Sequence, residues 1–248
     1  MSTWSHSLLL IATVAWGVQA AVINPVIEEN TIHDGLLSVP FVGVDRKASN
    51  LPKWGFQKVN GESSSSVKVP LENIDLAYLM NLSIGTPPQQ FTLLLDTGSS
   101  TTWVPVESCG ILCGSPPHTL STKTSSTFEL MNMQFNIRYG EGFSQGYYAK
   151  DTFTFEGNIS VANTAFAVSN FNDGELTANG ADGIIGIGPD ALSKYNNPDN
   201  VVVPTIVSSM QQAGVIRDNM FSVYFKALDD AERGNGRVNG NIIFGGGK

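Results

Sequence analysis

Asp96 is the residue best placed to do chemistry. The five residues before it, Phe91-Thr92-Leu93-Leu94-Leu95, read as a buried strand, and the run stops abruptly on Asp96-Thr97-Gly98-Ser99-Ser100. A carboxylate at such a turn, where Gly98 supplies permissive backbone, is presented at the end of a rigid element, a position suited to giving or taking a proton. The plainer alternative is a turn carboxylate bonded to nearby backbone amides, which is the usual fate of an Asp-x-Gly segment. Context decides between them.

Four further segments supply that context, in a fixed order. Ser83-Ile84-Gly85-Thr86-Pro87-Pro88-Gln89-Gln90-Phe91 precedes the turn; Trp103-Val104-Pro105 follows it, ahead of Cys109 and Cys113. Further on come Phe135-Asn136-Ile137-Arg138-Tyr139-Gly140-Glu141-Gly142 and Ala181-Asp182-Gly183-Ile184-Ile185-Gly186-Ile187-Gly188. Together with the Asp96 turn, these resemble the pepsin-like aspartic proteases of the secreted, fungal type, and the resemblance runs from about residue 69 to the end of the chain.

The resemblance implies an endopeptidase that needs neither metal nor cofactor. In that family one water sits between two carboxyl groups that share a proton: one takes the proton of the attacking water while the other protonates the carbonyl oxygen. Asp96 would be the first of the pair, Thr97 would support the loop across a lobe interface, Gly98 would allow the turn, and Ser99 would hydrogen-bond the carboxylate. Tyr139 matches the tyrosine of a flap that closes over substrate, with Trp103 as the partner of its hydroxyl. Gly140 and Gly142 would let the flap tip bend, and Glu141 would put a charge there. Leu94, Leu176 and Ile184 are candidate pocket walls, with plain core packing an equal alternative for each.

Cys109 and Cys113 are the only cysteines. A close, even pair in a secreted protein reads as a small-loop disulfide, which the resemblance also implies; the alternative is a metal site completed by His118. Asn81-Leu82-Ser83 and Asn158-Ile159-Ser160 are acceptor sequences for N-linked glycans. Asn158, in an expected turn, is the better site, and Asn81 is expected in a strand.

The segments ahead of the catalytic region organise the rest. Residues 8–18 form an apolar run too short to span a bilayer, ending at Val18-Gln19-Ala20, so residues 1–20 read as a signal peptide leading outside the cell or to an acidic vacuole. Residues 21–70 lack the strand punctuation of the later chain, include Ser63-Ser64-Ser65-Ser66, and resemble a propeptide; Lys53 or Lys58 could face Asp96. That propeptide carries five basic and five acidic residues, so the whole net charge of −8 lies after residue 70. Such an acidic surface argues against a nucleic-acid partner and suits work at low pH, where self-repulsion falls.

Residues 71–248 alternate short runs rich in Val, Ile, Phe and Thr with Gly, Pro, Asn and Ser clusters, which predicts an all-β fold, a distorted barrel or sandwich with a flap hairpin. One helix is expected, begun at Pro204, carried by Ile206, Val207, Met210 and Ala213, and stopped by Gly214. The sequence holds a single Asp-Thr-Gly, whereas a pepsin-like enzyme draws its second aspartate from a C-terminal lobe. The expected reading is therefore the N-terminal lobe of a bilobal protease, a fragment whose partners are a peptide or protein substrate and the missing lobe. Two alternatives are a homodimer in which two Asp96 loops meet, and a single-lobe module that binds peptides without cutting them.

Overall fold

The computed structural model describes residues 32–33, 36–45, 76–114, 116–140, 142–155, 158–173, 175–177, 180–225 and 238–246. Eleven strands form one sheet: β1 (Ile32–His33), β2 (Leu36–Asp45), β3 (Leu76–Ile84), β4 (Gln89–Asp96), β5 (Trp103–Pro105), β6 (Glu129–Tyr139), β7 (Gly142–Phe155), β8 (Ile159–Asn172), β9 (Gly183–Gly186), β10 (Phe221–Phe225) and β11 (Val238–Phe244). The order β3-β4-β9-β5-β8-β7 returns to β3 through the pairs Ser83↔Thr154 and Ile84↔Phe153, so these strands close on themselves as a barrel. β4 with β9 and β5 with β8 are the parallel pairs, and β6 hangs from β7 as the outer strand of a long hairpin. The expected all-β lobe is what forms.

Two apolar clusters fill the lobe. In the larger, Leu82, Ile84, Phe91, Leu93, Val104, Phe153, Phe166, Ile185 and Phe244 come together in the barrel. The smaller gathers Trp103, Phe135, Ile137, Tyr148, Ala167, Ile184 and Val203 beneath the β6–β7 hairpin. β4 serves both, because side chains alternate across a strand: Phe91 and Leu93 enter the first cluster while Leu94 packs against the second. A strand anchored on both faces holds its terminal residue, Asp96, in a fixed place.

The α-helix, α1 (Ile206–Gln212), lies within the predicted span. Thr205 caps it, its Oγ1 accepting the backbone N–H of Ser208, and Gly214 takes up a φ of 70° just past the end. Ile206, Val207 and Met210 bury its inner face.

Two strands depart from the sequence reading, β1 and β2, which pair with each other inside the segment expected to lack strand character. Residues 36–45 form β2 and insert between β11 and β3, antiparallel to both. Leu37, Val39 and Phe41 are buried at alternate positions, and the ring of Phe41 meets Tyr78 edge-on at a centroid distance of 4.8 Å. The alternation is present in the sequence, but apart from the two residues of β1 its partners, β3 and β11, stand further along the chain, so little that is local announces the pairing. The signal peptide expected at 1–20, and the expected propeptide apart from residues 32–33 and 36–45, with Lys53 and Lys58, lie outside the described residues.

Candidate active site

Asp96 ends β4 at the point where β9 runs beside it. The pairing is parallel, Asp96↔Gly186, and the carbonyl of Asp96 accepts the N–H of Ile187 at 2.9 Å. This approach explains the glycines of the β9 segment: a Cβ at Gly183 would lie 2.1 Å from the carbonyl oxygen of Trp103, and one at Gly186 would lie 2.6 Å from the amide of Thr101. The turn after Asp96 is thus braced from below by a strand that must be nearly bare at those two positions.

The carboxylate is held by its own turn. Gly98 donates its backbone N–H to Oδ1 at 2.8 Å, and the Ser99 hydroxyl donates to Oδ2. Both oxygens are engaged, so the group is oriented while remaining partly open to solvent. Thr97 and Gly98 are exposed beside it, whereas Ser99 and Ser100 are buried. The Ser100 hydroxyl donates to the carbonyl of Pro189 at 2.6 Å, and Gly188 donates to the carbonyl of Ser99 at 2.8 Å, so the loop is tied at both ends.

Above the loop stands the hairpin of β6 and β7, with Tyr139↔Gly142 as its last pair. The indole Nε1–H of Trp103 donates to the Tyr139 hydroxyl at 2.9 Å. Burial pushes the Tyr139 phenol well above the ordinary tyrosine range, against the opposing pull of Trp103 and Ser99 and with a further push from the Asp96 charge. Two hydrogen-bonded pairs, Trp103 with Tyr139 and Ser99 with Asp96, thus stand near one another at the loop. Ile184 pairs with Trp103 and is buried, Leu94 and Leu176 pack partly buried against the same cluster, Gly140 is exposed, and Glu141 lies outside the described residues.

The cysteines are joined to each other, with Cα atoms 5.7 Å apart, in a 3₁₀ segment, Glu107–Cys113. That disulfide removes the thiolates required by the alternative metal site. His118 is engaged elsewhere: its backbone N–H and Nδ1 both meet the carboxylate of the buried Asp182, at 2.6 Å and 2.9 Å, and the same carboxylate accepts the N–H of Thr92 at 2.7 Å. Asp182 thereby fastens the loop after the disulfide to β4.

Three contacts escaped the sequence reading. The Thr101 hydroxyl lies 3.1 Å from that of Tyr148 and accepts the Asn196 amide at 3.0 Å, forming a buried knot behind the active loop. Asp173 accepts the N–H of Phe143 at 3.1 Å, next to the tip of the hairpin, where a Cβ on Gly142 would strike its carboxylate. Asp151, also buried, collects Ser125, Thr127 and its neighbour Thr152 on Oδ1. None carries a motif, because each joins residues distant in sequence or of common types.

A sequence profile of the eukaryotic aspartyl protease family matches residues 77–247. The chain belongs to that family. Mucorpepsin from Rhizomucor pusillus is 31% identical over 97% of the chain and 57% of its own length. Aspartic proteinase from Oryza sativa is 29% identical over 96% of the chain and 46% of its own length. The crystal structure of the aspartic proteinase from Irpex lacteus superposes with a TM-score of 0.55 at 26% identity, covering 69% of this chain and 45% of that one. The chain spans about half the length of the curated relatives it matches. Among the described residues no helix is long and apolar enough to cross a membrane.

The buried phenols give this aspartyl protease lobe a measurable alkaline limit. Burial raises both Tyr139 and Tyr148, so the fold prefers the neutral phenol, while an unfolded tyrosine loses its proton near pH 10. That preference is fully present below the unfolded value and is lost as pH rises beyond it through the raised folded values, so stability should fall progressively above about pH 10. Phenolate absorbance followed alongside circular dichroism should show these two tyrosines ionising only as the strand signal collapses. Ionisation of all six tyrosines in a chain with an intact strand signal would contradict it.

Proposed function

We propose that this chain is the N-terminal lobe of a two-lobed aspartic endopeptidase and supplies one of its two catalytic carboxyl groups, Asp96. The observation that carries the reading is the Asp96 carboxylate, fixed by Gly98 and Ser99 at the end of a doubly packed strand, beneath the β6–β7 hairpin whose Tyr139 is hydrogen-bonded to Trp103. With a second carboxyl group opposite, a water between the two loses a proton to the ionised member as its oxygen attacks the peptide carbon. The protonated member gives its proton to the carbonyl oxygen, and the tetrahedral intermediate breaks at the C–N bond as the amine takes up a proton. Like charges so close do not both ionise, so the pair retains one shared proton in acid. A lone Asp96 cannot fill both roles.

The same reading makes residues 1–20 a secretory leader and residues 21–70 a propeptide removed between about residues 61 and 71. It sends the product outside the cell or to a vacuole, and a similar protein from Arthroderma otae is named vacuolar protease A. The full chain, incubated at acid pH with a peptide substrate, is expected to show no cleavage that a statine-type inhibitor blocks. Transcript sequence past Lys248 is expected to continue in frame to a second Asp-Thr-Gly or Asp-Ser-Gly. Asp96-dependent, statine-inhibited cleavage by the chain alone, with one inhibitor bound per two chains, would overturn this reading in favour of the homodimer.

A further inference from the structure

Away from Asp96, a groove of about 400 Å³ crosses the β3–β4 hairpin and the end of the β7–β8 hairpin. Its polar lining comes from Asn81, Ser83, Gln90, Thr92, Thr154 and Asn158. These are amides and hydroxyls with neither lysine nor arginine among them, which suits a neutral, hydroxyl-rich ligand and gives an anion no charge partner. The one imidazole at the groove, His118, is already committed to Asp182. Pro88 adds an apolar surface of the kind that packs on the C–H face of a pyranose ring. The volume is at the small end of ligand sites, with room for a sugar ring or two.

Both glycan acceptor asparagines line this one groove. Asn81 lies within β3, and its side-chain oxygen accepts the Thr92 hydroxyl at 2.9 Å. Asn158 stands at the β7–β8 turn with a φ of 60°, exposed, and its side chain makes no hydrogen bond within the described residues. The serine of its acceptor sequence, Ser160, lies back across the hairpin, 3.0 Å from Thr154. The acceptor turn and the groove wall are thus one piece of structure.

We propose that Asn158 carries an N-linked glycan whose first sugar is seated in this groove. Attachment forms a bond from the Asn158 Nδ2 to the anomeric carbon of the sugar. The bond from that carbon to a polyprenyl pyrophosphate donor breaks, the pyrophosphate leaves with the electron pair, and the amide nitrogen gives up one proton to the transferase. The seated ring takes hydrogen bonds from the amide and hydroxyl lining and covers the joint between the two hairpins. The inference rests on the reading that the chain enters a secretory pathway.

The test separates the two. The full chain is expressed in yeast both behind its own leader and behind a heterologous one; failure of the first alone would reject the secretion reading and leave the groove untouched. In the secreted product, peptide mapping should find the sugar on Asn158, and Asn158→Gln should remove it. Peptide N-glycosidase should release the glycan from folded protein at least about tenfold more slowly than from denatured protein, because release awaits departure of the sugar from its seat. Gln90→Arg, at an exposed position, should fill the groove and bring the folded rate up to the denatured one with occupancy unchanged. A bare Asn158 in secreted protein, a glycan on Asn81 alone, or equal release rates from folded and denatured wild type would each overturn the proposal.

Discussion

Asp96→Asn, in the two-lobed enzyme proposed above, should lower peptide hydrolysis at acid pH by on the order of 10⁴-fold, the upper range for losing a positioned acid–base group. The fold should survive the change. Asparagine keeps one oxygen for the Gly98 amide, and its new N–H₂ can donate to the Ser99 hydroxyl, which turns its own proton elsewhere. What disappears is the ionisable group, so kcat should collapse while the thermal midpoint moves little. Retention of more than about a tenth of wild-type kcat would remove Asp96 from the chemistry. A large fall in the midpoint would instead mean that the carboxylate holds the turn, which is the plainer role that Asp-x-Gly segments commonly have.

Phe41→Ala should destabilise the full chain by about 3–5 kcal/mol, the range for truncating a fully buried aromatic side chain. Phe41 is buried in β2, meets Tyr78 edge-on, and occupies the space left by Gly240 on the neighbouring strand, where a Cβ would be 2.1 Å from its ring. Against a total stability of about 5–15 kcal/mol, the loss should be plain in urea unfolding, as a lower midpoint with an unchanged slope. Pro40→Ala, at the half-buried position next door, is the control and should cost far less. Equal unfolding curves for Phe41→Ala and wild type would mean that β2 is not part of the folded sheet.

How much of this was legible beforehand follows from where each signal resides. The strand before Asp96 and the turn after it are local: five apolar or β-forming residues and a glycine announce them without help from elsewhere. Helix α1 was likewise written in one place, between Pro204 and Gly214. Tyr139 and Trp103 were legible through the resemblance, and the hydrogen bond between them is present. β2 was missed because, beyond its two-residue pairing with β1, it is held by β3 and by β11, the latter nearly two hundred residues away, and no local pattern carries such partners. The Thr101, Tyr148 and Asn196 knot and the Asp173 contact with the hairpin were missed for the same reason. Single polar residues of ordinary type acquire meaning only once the barrel closes.

Because β2 pairs on both sides, its place in the sheet has a shape of its own. Neighbouring strands lie about 4.8 Å apart, so any processing that took β2 away would leave a slot about 10 Å across between β3 and β11. Both walls of that slot would show unpaired N–H and C=O groups, the feature that makes open sheet edges adhere to other chains. The opening is also notched at Gly240, where an aromatic ring now sits. Only another extended segment, antiparallel to both walls and carrying a bulky ring at the matching alternate position, restores the two ladders and fills the notch together.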